Sequence, residues 1–128
     1  VGDKIPDLMI DPIKRSTLAL YAGASGDHNP IHIDLDFAKK VGMGDVFAHG
    51  MLIMAYLGRA LTNIIPQSNL KNLNTRFCSI TNIGDELICS GQVSKVGNHN
   101  SKEIIVFDLM VADKTGDIKV TGTATIEK

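Results

Sequence analysis

Hydrophobic and polar positions divide the chain into two halves with different periods. In the second half, residues 72–80, 86–96, 102–113 and 118–128 are rich in Val, Ile, Thr and Phe. Turn signals separate them at Asn82–Asp85, Gly97–Ser101 and Lys114–Asp117. Runs of this composition between such turns predict an antiparallel meander of long strands. Alternation is only rough, since Ser90, Gln92 and Ser94 interleave with Cys89, Gly91, Val93 and Val96. One face of the sheet is therefore expected to be wetter without being cleanly polar. In the first half, residues 49–65 have helical length and stop at Pro66. Met51, Met54, Tyr56, Leu57, Ala60, Leu61, Ile64 and Ile65 leave this helix little polar surface beyond Arg59, Thr62 and Asn63. A helix apolar nearly all round is expected to be buried on most sides. Shorter helices are predicted over 15–24, with Ser16 or Thr17 near the start, and over 34–41, beginning at Asp34 or Asp36. The layered solution is an α+β fold in which a sheet wraps one long helix.

Composition narrows the class. A chain of 128 residues with 44% hydrophobic content suits a single domain spanning 1–128 with a real core. Its 13 basic and 14 acidic residues are scattered, giving a net charge of -1, which argues against a nucleic-acid partner. No apolar run approaches the roughly 18 residues of a membrane span, and the first ten residues lack the layout of a signal peptide. Cys78 and Cys89 lie in strand-like segments, which suits buried thiols better than a disulfide framework. The expected location is the cytoplasm or another reducing, unexported compartment.

The chemistry concentrates between the two shorter helices, where residues 25–34 read SGDHNPIHID. Pro30 pushes Asn29 out of helical conformation, so Asp27 and His32 cannot sit on consecutive turns of one helix. Gly26 permits a sharp helix exit, and Asn29 can bond its own backbone and hold the bend. A carboxylate and an imidazole brought together there can hold a water and pass its protons. The same residues also make an ordinary capped turn, and alone they do not choose. A second feature is Ala48–Met51, which places Gly50 at the mouth of the long helix. First-turn N–H groups lack intrahelical partners, so Gly50 can offer a donor to an oxyanion, or merely start the helix. His49 could equally be a partly buried, hydrogen-bonded side chain. His28, His32, His49, Asp27 and Asp34 could also ligate a metal. Pro30, however, breaks the helical register of His28 and His32, and no Cys lies nearby.

With those residues in view, YAGASGDHNPIHID (21–34) followed by AHGML (48–52) resembles the signature of the MaoC-like family. That family includes (R)-specific enoyl-CoA hydratases and (3R)-hydroxyacyl-ACP dehydratases. Residues 75–93 and 120–126 are similar to its later strands, so the resemblance runs through most of the chain. It implies a hot-dog fold, an antiparallel sheet around one long helix, usually paired with a second hot dog as a homodimer or heterodimer. Carried over by position, Asp27 and His32 are the implied catalytic pair, Gly50 the oxyanion donor, and Asn29 with Pro30 the loop support. His49, Met51, Met54 and Gly58 are the implied substrate contacts. The implied reaction is reversible syn addition of water to a trans-2-enoyl thioester carried on CoA or ACP, with no metal or other cofactor. A thioesterase and a non-catalytic acyl-binding subunit are the alternatives. Ile80 and Thr81 stand where many members have Pro-Val, and Gly58 where some hydratases carry a larger residue, which leaves acyl length open. Arg59 and Arg76 could meet carrier phosphates or be ordinary surface residues, and Lys39, Lys40, Lys71 and Lys102 are expected to be solvated.

Overall fold

A computed structural model describes residues 1–128. Strand β1 (Leu8–Ile10) precedes helices α1 (Arg15–Ser25), α2 (Leu35–Lys40) and α3 (Gly50–Thr62). Strands β2 (Leu70–Phe77), β3 (Leu87–His99), β4 (Lys102–Asp113) and β5 (Ile118–Glu127) follow. The five strands form one antiparallel sheet in the order β1-β3-β4-β5-β2, with α3 packed against it. No helix is long and apolar enough to cross a membrane.

The four long strands and the three helices form where the sequence pattern places them, within a few residues at each end. Asp34 settles the start of α2, its carboxylate accepting from Phe37 N at 3.2 Å. Between β3 and β4 the chain turns in two residues, Asn100 and Ser101, both at positive φ. That conformation matches the twist of paired strands and fixes their register.

The meander, by contrast, holds only for β3, β4 and β5. β2 pairs with β5 and lies at the opposite edge from β1. Its exit explains this: Cys78 N and Ser79 N both bond Lys119 O on β5, at 2.8 and 3.4 Å. Residues 82–85 then turn and tie to Ile13 through Gly84 N to Ile13 O (2.8 Å) and Ile13 N to Asp85 O (3.0 Å). The chain thus enters β3 beside β1, not beside β2.

Helix α3 is shorter than its apolar run, because Ile64 N and Ile65 N both turn back to Leu61 O ahead of Pro66. It is also less buried than its composition implies. Leu52, Ile53, Leu57, Ala60 and Leu61 face the sheet, while Met51 is 54% exposed. A one-layer sheet covers one stripe of a helix, and the rest faces outward. Cys78 corrects another expectation: it is exposed, and only Cys89 is buried. Burial pushes the Cys89 thiol up to about 11, so it packs as a small apolar group.

The core beneath α3 gathers Leu87, Cys89, Phe107, Leu109, Val111, Val120, Ala124 and Ile126 from the inner face of the sheet. Gly122 sits among them because a Cβ there would collide with the Asn74 carbonyl oxygen of β2 and lie 3.2 Å from Thr75 Cγ2. A backbone atom cannot step aside as a side chain can. Gly122→Ala should therefore cost about 1–3 kcal/mol in denaturant titration. Gly97→Ala, with nothing within 4 Å of the added methyl, should stay within about 0.5 kcal/mol. Equal midpoints for the two variants would contradict this packing.

Candidate active site

The loop after α1 is built almost entirely from side chains capping nearby backbone. Gly26 ends the helix in the left-handed region (φ 78°), its N–H reaching Ala22 O at 3.0 Å. Ser25 Oγ then accepts from Asp27 N (3.1 Å), Asp27 Oδ1 from Asn29 N (3.2 Å), and Asn29 Oδ1 from Ile31 N (3.1 Å). Pro30 begins a single 3-10 turn, Pro30–His32, where its missing N–H costs nothing. This turn swings the His32 ring inward, although the sequence suggests only a bent loop there.

His32 is fixed by a second segment. Its Nδ1 lies 2.7 Å from Phe47 O, and a carbonyl can only accept, so Nδ1 carries the proton. When neutral, the ring therefore presents Nε2 as a lone pair. Phe47 also meets the imidazole edge-on, with centroids 5.1 Å apart. Segment 47–48 is itself held by residues 81–82, through Ala48 N to Thr81 O (2.9 Å) and an antiparallel bridge between Phe47 and Asn82.

His49 lies underneath, 1% exposed, its ring stacked on His32 with centroids 4.0 Å apart. Its Nε2 donates to Asp27 O at 3.1 Å, which ties the acid's backbone to the mouth of α3. Nδ1 is left as a buried lone pair with no donor. Burial is the main cause that lowers the pKa of His49, and the neighbouring His32 adds to it. This ring acts as a neutral support, walled off from solvent.

Three of the candidates thus converge. An Asp27 carboxylate oxygen and ring nitrogens of His32 and His49 all lie within 4.8 Å of one another. Asp27 is exposed and His32 partly so, leaving an open approach to the pair. Gly50 follows directly as the first residue of α3, with its N–H free of intrahelical acceptors. A Cβ at Gly50 would lie 3.1 to 3.3 Å from the Phe77 ring. Gly50 and Phe77 line a cavity of about 320 Å³ with Phe47, Ile53 and Ile80, while His32 faces a separate groove with Arg15 and Val46. Met51 is exposed, Met54 and Gly58 are half-buried, and a Cβ at Gly58 would lie 3.7 Å from Leu73 Cδ2. His28 and Asp34 do not join the cluster, and Asp34 is spent as a helix cap.

One supporting contact has no mark in the sequence. Arg15 grips Asp45 through two hydrogen bonds of 2.8 and 2.6 Å, tying the start of α1 to the segment that carries Phe47. The guanidinium holds the Asp45 carboxyl below its ordinary range. Arg59 instead lies over the Tyr56 ring, 5.7 Å from its centroid.

Comparison with known proteins gives a consistent picture. Residues 4–115 match a family model described as "MaoC like domain". An (R)-specific enoyl-CoA hydratase of Rhodospirillum rubrum is 28% identical over 89% of this chain and 78% of its own length. A mitochondrial 3-hydroxyacyl-[acyl-carrier-protein] dehydratase of Arabidopsis thaliana is 28% identical over 84% of this chain and 63% of its own length. Among solved structures, R-hydratase PhaJ1 from Pseudomonas aeruginosa superposes with a TM-score of 0.85 at 28% identity, covering 98% of this chain and 79% of that one. The chain spans less than two thirds of the length of several curated relatives, and as little as 3% of one.

A depressed His49 pKa has a measurable consequence. The unfolded chain takes up a proton at His49 near pH 6.5 that the folded chain refuses, so folding stability falls as pH drops below that value. His49→Phe keeps a ring against Tyr21 and His32 and should flatten that part of the stability profile, read as chemical-denaturation midpoints across the acid range. Superimposable slopes would mean that His49 titrates freely in the fold.

Proposed function

The chain belongs to the MaoC-like domain family, and on that premise we propose that it is an (R)-specific enoyl-CoA hydratase. The reaction is reversible syn addition of water to a trans-2-enoyl thioester, giving the (3R)-hydroxyacyl thioester. One observation carries the reading: a carboxylate and an imidazole whose tautomer is set by a backbone carbonyl lie within 4.8 Å, beside the N-terminus of α3.

The roles follow from which atoms remain free. Asn29 N occupies one lone-pair direction of Asp27 Oδ1, and Phe47 O occupies His32 Nδ1. The other carboxylate oxygen and His32 Nε2 are left to hold a water between them. As that oxygen attacks C3, its proton passes to the pair, and the C2=C3 π electrons move toward the thioester oxygen. The Gly50 N–H steadies that developing charge, and the pair returns a proton to C2. Bonds and protons balance with water alone, so the reading uses no cofactor and no metal. Dehydration of a (3R)-hydroxyacyl thioester is the same path reversed, which makes an ACP-dependent dehydratase the second reading, favoured by the likeness to the Arabidopsis protein.

The proposed working unit is a pair of hot dogs, identical or not. Support comes from Met51 in the first turn of α3 and Ile64 just beyond its end, 54% and 47% exposed, and from β2 at the sheet edge. A reducing, unexported compartment remains the proposed location, in keeping with two unpaired cysteines.

Purified protein should remove the enoyl-thioester absorbance of crotonyl-CoA and release the (3R) alcohol. Asp27→Asn and His32→Ala should each lower kcat about 10²- to 10⁴-fold with the fold intact by circular dichroism. Near-full activity in either variant would overturn the assigned roles. Turnover confined to acyl-ACP would select the second reading.

A further inference from the structure

Lys119 is a buried lysine that the proposed chemistry does not use. Its position comes from a β-bulge. Val111 pairs with Val120 and Ala112 with Ile118, so Lys119 is the extra residue on β5, and its side chain is redirected out of the strand's alternation. It ends 4% exposed within a closed set of acceptors. Nζ donates to Ile80 O at 2.9 Å and Asp117 Oδ2 at 2.8 Å, and pairs with Asp85 at 3.3 Å and Asp113 at 3.5 Å. Burial alone would lower its pKa, but the Asp117 bond and the Asp85 charge outweigh that, and the ammonium titrates above its ordinary value. The cage is therefore charged and fully engaged.

What the cage holds is residues 78–85. Lys119 O accepts from Cys78 N (2.8 Å), Ser79 Oγ donates to Asp117 (3.0 Å), and Asp85 Oδ2 accepts from Asn82 N (2.8 Å). Next to the clamped Ile80 carbonyl stands Thr81, 3% exposed, whose own carbonyl receives Ala48 N at 2.9 Å. Asn82 bridges Phe47, and Phe47 O accepts from His32 Nδ1. Between the first step, from the ammonium to Ile80 O, and the last, from Phe47 O to the imidazole, the path runs through backbone groups alone.

Resting on the proposed hydratase reading, we infer that Lys119 is a positioning residue for His32: it locks the 78–85 segment so that the Phe47 carbonyl fixes the imidazole's orientation and tautomer. Without the ammonium, three carboxylates face one another and the Ile80 carbonyl loses its donor, so the segment relaxes. The Phe47 carbonyl moves with it. His32 then samples both tautomers, and only one of them presents a lone pair to the water.

The test uses Lys119→Met, Asp117→Asn and, as a control, Lys114→Met, whose lysine pairs with Glu86 on the surface. Imidazole ¹⁵N spectra at about pH 8, where a free histidine is neutral, should show His32 as the single Nδ1–H tautomer in the unmodified protein and in Lys114→Met. Lys119→Met should show a tautomer mixture and a kcat reduced about 10- to 100-fold with KM within about twofold. Asp117→Asn, which weakens the cage at its 53% exposed corner without stranding a buried charge, should shift both readouts in the same direction and by less. A folded Lys119→Met with the wild-type tautomer and kcat overturns the inference. If Lys119→Met does not fold, an Asp117→Asn protein indistinguishable from wild type overturns it instead. The tautomer spectrum needs no turnover, so absence of hydratase activity would reject the proposed function and leave this measurement able to decide.

Discussion

An imidazole can serve as a base through only one neutral nitrogen at a time, and here a backbone carbonyl settles which. Phe47 O accepts from His32 Nδ1 at 2.7 Å, so Nε2 alone can take a proton. The carbonyl must therefore stand still relative to the Pro30–His32 turn, and several distant parts of the fold serve that end. Arg15 ties the Asp45 side of the segment to α1, and Thr81 and Asn82 hold its other side. His49 joins the same segment to Asp27 through a single hydrogen bond of 3.1 Å.

This arrangement places mobile chemistry on immobile backbone. Asp27 is exposed, and its loop has little apolar packing of its own. It is instead defined by a ladder of side-chain caps from Ser25, Asp27 and Asn29, each accepting from the backbone two residues on. Such caps contribute about 1 kcal/mol apiece, small against the whole fold but enough to select one loop conformation. The neutral His49 ring beneath them supports His32 without adding a competing charge.

Much of this was legible in the sequence because it follows from local rules. Gly26, Asn29 and Pro30 act through their own backbone preferences, and Asp34 through its cap, so the loop and the helices around it are readable residue by residue. The four long strands were legible for the same reason, whereas the three-residue β1 is too short to show a pattern. Strand order was not, because β2 is directed to β5 by hydrogen bonds from Cys78 and Ser79 to Lys119, which no periodicity encodes. Lys119 itself falls out of phase through a one-residue bulge, so its burial contradicts the alternation that would have placed it. The Arg15–Asp45 pair joins residues thirty apart, and no local pattern around either one marks the other as its partner. The exposed side of α3 departs from expectation because apolar composition reports that a surface needs covering and not whether its own chain covers it.

The proposed water position, between Asp27 and His32 on one face of the alkene, has a direct stereochemical consequence. Hydration of crotonyl-CoA in D₂O, or of the ACP thioester where CoA is not accepted, should give the (3R)-hydroxyacyl product with deuterium at C2 on the face that received the oxygen. Deuterium on the opposite face, or a mixture of configurations at C3, would show that oxygen and proton do not come from one site held by this pair.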